Sequence, residues 1–204
     1  MNDIKPRFEF RAWAKNFGQV EEKMRRLSEC EKIRESSEVY IVSAANAANN
    51  TKIRDELMDI KVFVKEEQGF EQWDPRMKGS FPMPAEMIRN QVFPAFSVAP
   101  PVLARDDYTL QQFLDEIVRP HPNLAAVDVF KRRFGFTVNG CITEHAEVWF
   151  NNAGLQTVAV ESVDIEALIS AKEMLGLHEY QNVNYLRAIK QVVGMESSPS
   201  TPST

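Results

Sequence analysis

Residues 51–64, T-K-I-R-D-E-L-M-D-I-K-V-F-V, limit the possible folds more than any other stretch of the chain. With a period of two, Lys52 and Arg54 fall on one face and Thr51, Ile53 and Asp55 on the other. Glu56, Leu57 and Met58 read as a turn, after which Asp59 and Lys61 share a face opposite Ile60, Val62 and Val64. The pattern predicts a β-hairpin with one charged and one apolar side. The apolar side needs a covering layer. Alternate Lys and Arg side chains cost too much to bury without partners, so the charged side looks into water or onto an anion.

The same alternation recurs far along the chain. In V-F-K-R-R-F-G-F-T-V (129–138), Lys131 and Arg133 share one face, with Phe130, Arg132, Phe134, Phe136 and Val138 on the other. In R-F-E-F-R (7–11), Arg7, Glu9 and Arg11 alternate with Phe8 and Phe10. In C-I-T-E-H-A-E-V-W-F (141–150), His145 and Glu147 oppose Ile142, Ala146, Val148 and Phe150, and Glu161 closes T-V-A-V-E (157–161). If these charged faces meet, Arg7, Arg11, Lys52, Arg54, Lys61, Lys131 and Arg133 gather around Glu9, Glu147 and Glu161. That set suits a polyphosphate held with a divalent metal. Read from spacing alone, Lys52, Arg54 and Lys61 fit a solvated sheet face equally well, Glu147 and Glu161 fit structural partners of arginines, and His145 fits a satisfied histidine. Tyr40, Trp73 and Tyr185 read as packing residues.

The surrounding chain favours one domain, residues 1–195, with an irregular helical insertion at about 66–125 and a low-complexity, disordered tail at 196–204. At 204 residues and 44% hydrophobic content it can bury a sizeable core. A net charge of −5 argues against general affinity for nucleic acid or anionic membranes, so a basic interior would be a local feature. Cys30 and Cys141 have no paired spacing, which suggests neither a disulfide framework nor a zinc site and leaves a reduced, cytoplasmic setting as the expectation. The start lacks a signal-peptide run, and no stretch approaches the roughly 20 apolar residues of a membrane span.

Helices are expected from Phe17 to about Ile33, from Pro84 to about Val92, from a Thr109–Gln112 capping box to about Val118, from an Asp164 cap to Leu175, and over about 183–193. A strand is expected at 37–43, and strands at about 126–138, 141–150 and 156–162, the first two of these three joined by Asn139-Gly140. Gly69, Pro75, Gly79, Pro82 and Pro84 predict only short regular structure over 66–84. The insertion has three open uses: a lid, a homodimer surface or plain connection.

From Arg7 to about Lys190 the chain resembles the CYTH family of triphosphate tunnel metalloenzymes. Lys52-Ile-Arg54 with Asp59-Ile-Lys61 resembles the family's basic hairpin, Lys131-Arg-Arg133 its second basic strand, and Glu147 and Val160-Glu161 its closing carboxylates. The resemblance implies an α+β fold, a closed antiparallel β-barrel of about eight strands with helices packed outside. It also implies Mg²⁺ or Mn²⁺ on Glu9, Glu147 and Glu161, the seven cations as phosphate clamps, and Glu9, Lys61 and His145 as catalytic groups. Two acidic positions depart from the family pattern. The Glu-x-Glu-x-Lys signature here reads Arg7-Phe-Glu9-Phe-Arg11, and Ala159 stands where many members carry Glu.

The implied chemistry is phosphoryl or nucleotidyl transfer, with cations and a metal stabilising charge that develops on the phosphates. Three functions follow: metal-dependent hydrolysis of an inorganic or organic triphosphate, cyclisation of ATP, or binding of a polyphosphate without turnover. Arg7 in place of a carboxylate favours the last more than an intact signature would. The expected partner is a triphosphate-containing small molecule.

Overall fold

A computed structural model describes residues 6–196. Eight long antiparallel strands close a barrel: β1 (Phe8–Ala14), β2 (Lys32–Ser43), β3 (Asn49–Arg54), β4 (Leu57–Glu67), β5 (Phe70–Ser80), β8 (Leu124–Val138), β9 (Cys141–Phe150) and β10 (Ala153–Ser162). Their order around the wall is β1-β10-β9-β8-β2-β3-β4-β5, with β5 returning to β1. Two short strands, β6 (Met83–Pro84) and β7 (Asp107–Tyr108), pair apart from the barrel. The barrel closes where Phe8 and Glu9 of β1 meet Gln72 and Glu71 of β5, and period-two alternation divides the wall strands between lumen and exterior.

The exterior is the apolar side, covered in two places. Phe8, Phe10, Val158, Val160, Phe136 and Val138 pack beneath α1 (Gly18–Leu27) and α5 (Ile165–Leu175), which contribute Val20, Met24, Leu168 and Leu175. Ile41, Ile53, Met58 and Ile60 pack beneath the insertion, where α2 (Ala85–Met87), a π-helical turn (Ile88–Val92) and α3 (Phe93–Phe96) run as one helix. A second insertion helix joins α4 (Leu110–Gln112) to the π-helical turn Phe113–Val118. Each such side chain contributes about 1.5–3 kcal/mol when fully buried. The Thr109–Gln112 capping box forms, Asp164 accepts from the N–H groups of Glu166 and Ala167, and Gly176 ends α5 at φ 74°.

The last helix, α6 (Tyr185–Val192), has a different place. Tyr185, Leu186 and Ile189 pack on Tyr40, Val42, Val127, Val129, Val148 and Phe150, which face the lumen, so α6 closes one end of the barrel. Lys190, buried, ties it to the β2–β3 loop by donating to the Asn46 carbonyl at 2.9 Å.

Three local expectations are corrected. The hairpin turn is Asp55-Glu56, both at positive φ (51° and 55°), and strand resumes at Leu57, so Leu57 and Met58 belong to β4. α1 ends at Leu27, and β2 begins at Lys32, five residues before its expected start. Residues 70–80 form an eleven-residue wall strand despite Pro75 and Gly79. Pro75 sits opposite Lys61 beside a register shift, where the ladder tolerates a missing N–H. The tail expected at 196–204 lies, except for Glu196, outside the described residues, as do residues 1–5. Among the described residues, no helix is long and apolar enough to cross a membrane.

Candidate functional site

Inside the barrel lies a cavity of about 180 Å³. Arg11, Lys52, Lys61, Lys131 and Arg133 line it together with Glu9, Glu144 and Glu161; Tyr40, Tyr185, Trp73, Asn50 and Asn184 complete the wall. Strand register explains the convergence. Glu9 is the cross-strand partner of Glu161, Arg11 of Ala159, Ala159 of Glu144, Arg133 of Ala146 and Lys61 of Asn50, and partners share a face.

The buried heart of the site is a Lys131–Glu38 pair. Lys131 Nζ donates to Glu38 Oε2 at 2.8 Å and to Tyr40 Oη at 2.7 Å, and lies 3.9 Å from the centre of the Tyr185 ring. Lys52 Nζ and Arg54 Nη1 approach the same carboxylate at 3.9 and 3.5 Å. Burial alone would raise the Glu38 pKa, but Lys131 and then Lys52 hold it down to about 2. Burial lowers Lys131 to about 7; Glu38 opposes this, while Lys52 and Arg11 add to it. Burial also lowers Lys52.

Arg11 forms the second node. Its side chain is 6% exposed, Nε sits 2.6 Å from Glu9 Oε1, and Nη1 lies 3.7 Å from Glu144 Oε1 and 3.3 Å from Thr157 Oγ1. Its guanidinium carbon lies 4.6 Å from the centre of the Tyr185 ring. Burial would lower its pKa, yet Glu9, Tyr185, Glu144 and Glu161 together raise it, so the guanidinium stays firmly charged. Burial and then Glu9 push Glu161 upward, Arg11 and Lys61 oppose, and Glu144 adds to the rise. From outside the cavity lining, half-exposed Arg7 reaches Glu161 Oε2 at 3.3 Å. Arg54 likewise stands outside it, 42% exposed beside Glu38.

His145 and Glu147 are placed differently from the expectation that they face the lumen. They share the exterior face of β9, where Glu147 pairs across strands with Arg132 and Gln156. His145 is buried against the Phe134 ring, 3.8 Å from Glu21 of α1, with neither ring nitrogen hydrogen-bonded. The lumen face of β9 carries Glu144 followed by Ala146, Val148 and Phe150, which fill the closed end. Glu144 was missed because a single acid in an otherwise apolar row reads as an interruption. Glu38 was missed because it precedes the strongly apolar part of β2. Its only signal was alternation with Tyr40 and Val42.

A divalent metal fits this donor set poorly. Among the described residues, no three His, Cys, Asp or Glu side chains stand close enough to hold one. Glu9 and Glu161 already carry guanidinium partners, and Glu38 is enclosed by Lys131, Lys52 and Arg54.

No protein-family model and no curated protein matches the chain. Solved structures do. A conserved hypothetical protein from Pyrococcus furiosus aligns with TM-score 0.52 and 15% identity, over 88% of this chain and 98% of that one. An adenylyl cyclase candidate from Hippeastrum with a dominant triphosphatase activity aligns with TM-score 0.51 and 11% identity, over 91% and 96%. An adenylate cyclase candidate from Bacillus halodurans aligns with TM-score 0.50 and 9% identity, over 90% and 95%. At these identities the likeness carries the fold alone, and that fold is of the CYTH type.

Proposed function

We propose that this CYTH-type barrel binds the phosphate chain of a triphosphate in its lumen and hydrolyses it. The observation that carries this reading is the convergence of Arg11, Lys52, Lys61, Lys131 and Arg133, from four strands, on one cavity. At about 180 Å³ the cavity falls below the roughly 300–1,000 Å³ of pockets that enclose a drug-sized molecule. It accommodates a phosphate chain and leaves any organic group at the open end. This favours inorganic triphosphate, or a substrate recognised chiefly by its phosphates.

The lumen's contribution is electrostatic. Lys52, Lys61 and Arg133 are aimed where charge grows on the phosphoryl oxygens, in a space with restricted water, and fixed donors need no reorganisation during reaction. Lys131, poised near neutrality, takes a full charge as the anion enters. The activity of the Hippeastrum protein agrees with this assignment.

The test is release of orthophosphate from tripolyphosphate and from ATP, each with Mg²⁺, Mn²⁺ or EDTA, with cyclic nucleotide assayed in parallel. Hydrolysis of tripolyphosphate is the expected result. A second reading, capture without turnover, draws on one observation: Arg11 and Arg7 already neutralise Glu9 and Glu161. Thermal stabilisation by tripolyphosphate with no orthophosphate in any condition would select it, and cyclic nucleotide with pyrophosphate would overturn both.

A further inference from the structure

Three carboxylates face one small cavity, and the groups that neutralise them are part of the chain. Arg11 is held from several sides. Its backbone N–H donates to Asn182 Oδ1 at 2.9 Å, Nη1 to Thr157 Oγ1, and the guanidinium lies over the Tyr185 ring. So fixed, it makes a charge-assisted bond of 2.6 Å to Glu9 and stands 3.7 Å from Glu144. Arg7 covers Glu161 from outside the cavity lining. A divalent ion needs carboxylate oxygens free of other cations. To enter here it would have to break the Arg11–Glu9 bond and remain beside a buried guanidinium that cannot lose its proton. Guanidinium and metal are therefore competitors for one set of oxygens.

Building on the reading of this cavity as a triphosphate site, we infer that Arg11 takes the place of a protein-held divalent metal. The cavity binds the triphosphate anion directly, and no metal is seated on Glu9, Glu144 and Glu161. The remaining lumen cations suffice for an anion. Lys131 is matched by Glu38, whereas Lys52, Lys61 and Arg133 also face the cavity, and Arg133 Nε is buried with no hydrogen-bond partner. A donor left unpaired in a buried place is costly unless a ligand meets it. Magnesium that reaches the site comes already bound to substrate oxygens. Arg7 and Arg11 thus divide the three carboxylates between them: Arg7 pairs with Glu161, and Arg11 with Glu9 and Glu144.

Two measurements on the full chain test this. In the first, the electron paramagnetic resonance signal of free Mn²⁺ is followed as protein is added, without phosphate. Wild-type protein is expected to leave the signal unchanged, Arg11→Gln to quench it, and the double variant Arg11→Gln/Glu161→Gln to restore it. Arg11→Lys, which keeps the cation, should behave as wild type. In the second, calorimetry of sodium tripolyphosphate binding in EDTA should give an affinity within about threefold of that in Mg²⁺. Mn²⁺ uptake by wild type that Glu9→Gln abolishes would overturn the inference, as would tripolyphosphate binding that EDTA eliminates. Absence of tripolyphosphate binding both with and without metal would overturn the triphosphate reading instead, and the Mn²⁺ measurement, which uses no phosphate, would still decide the role of Arg11. Should Arg11→Gln fail to fold, the wild-type and Arg11→Lys measurements decide it alone.

Discussion

Lys131 Nζ donates to Glu38 Oε2 at 2.8 Å in a part of the barrel where the Glu38 side chain has no exposed surface. Neither ion would be stable there alone, because desolvating one unpaired charge costs several kcal/mol. The pair joins the neighbouring strands β2 and β8 on their lumen face and makes folding sensitive to acid. The Glu38 pKa falls from 4.5 to about 2 on folding, so its contribution is complete above the unfolded value and is lost as pH drops toward the folded one. The contribution is on the order of 3 kcal/mol. Denaturant unfolding followed from neutral pH to about pH 2 should show stability falling below about pH 4.5. Glu38→Gln should flatten that slope and lower stability at neutral pH by about 3 kcal/mol, since it strands Lys131. An unchanged acid slope in Glu38→Gln would remove the pair from this role.

Ligand binding should couple to Lys131 in the opposite pH range. Its folded pKa of about 7 lies below the ordinary 10.5, so between those values the folded chain holds fewer protons than the unfolded one. A triphosphate entering beside it supplies negative charge and raises that pKa. Binding above about pH 7 therefore takes up a proton at Lys131, and affinity should fall with rising pH by up to about tenfold per pH unit. Below about pH 7 the group is already charged and contributes no slope. Lys131→Arg, charged throughout, should bind tripolyphosphate with its alkaline slope reduced. Calorimetry in two buffers of different ionisation enthalpy checks the proton count. Equal slopes in the two proteins would assign the uptake elsewhere.

The hairpin from Asn49 to Val62, with Lys52 and Lys61 facing the lumen, was legible because strand alternation is strict and a basic face admits few environments. Lys131 and Arg133 were legible for the same reason, and Asn139-Gly140 fixed the register between β8 and β9. Residues 141–150 show where alternation runs out. It groups His145 with Glu147 but carries no sign saying which group faces inward. The choice depended on whether the end of the barrel is polar or filled, and that is decided by α6 placing Tyr185 against Phe150 and Tyr40, far away in sequence. β5 was hidden for a related reason. Pro75 and Gly79 are unfavourable in an isolated strand, yet pairing with β4 along its length, and with β1 at Glu71 and Gln72, holds β5 in the wall.

The exchange of Glu147 for Glu144 yields a paired test. Glu144 repels an incoming phosphate and competes for Arg11, so Glu144→Gln should tighten tripolyphosphate binding by about three- to tenfold. Glu147, on the exterior face beside Arg132, should tolerate Gln with affinity unchanged within about twofold. Calorimetry of both variants in EDTA gives the comparison. The reverse ranking would show that β9 turns its other face to the ligand, and weaker binding by Glu144→Gln would point to a cation held on that carboxylate.

Tyr185 shows how the closed end is stabilised. Its ring meets Trp13 edge-on at 4.9 Å and stacks on Tyr40 at 5.6 Å, yet its buried hydroxyl has no hydrogen-bond partner. The ring and the hydroxyl should therefore act in opposite directions. Tyr185→Ala removes an aromatic anchor from α6 and should cost about 3–5 kcal/mol, in the range of large-to-small core substitutions. Tyr185→Phe keeps the ring, relieves an unpaired buried donor, and should leave stability unchanged or raise it by about 1 kcal/mol. Its cation–π contact with Lys131 remains, so the neutral-to-alkaline binding slope should persist. Denaturant midpoints of the two variants against wild type make the measurement. A Tyr185→Phe variant destabilised as much as Tyr185→Ala would mean that the hydroxyl, not the ring, holds α6 against the barrel.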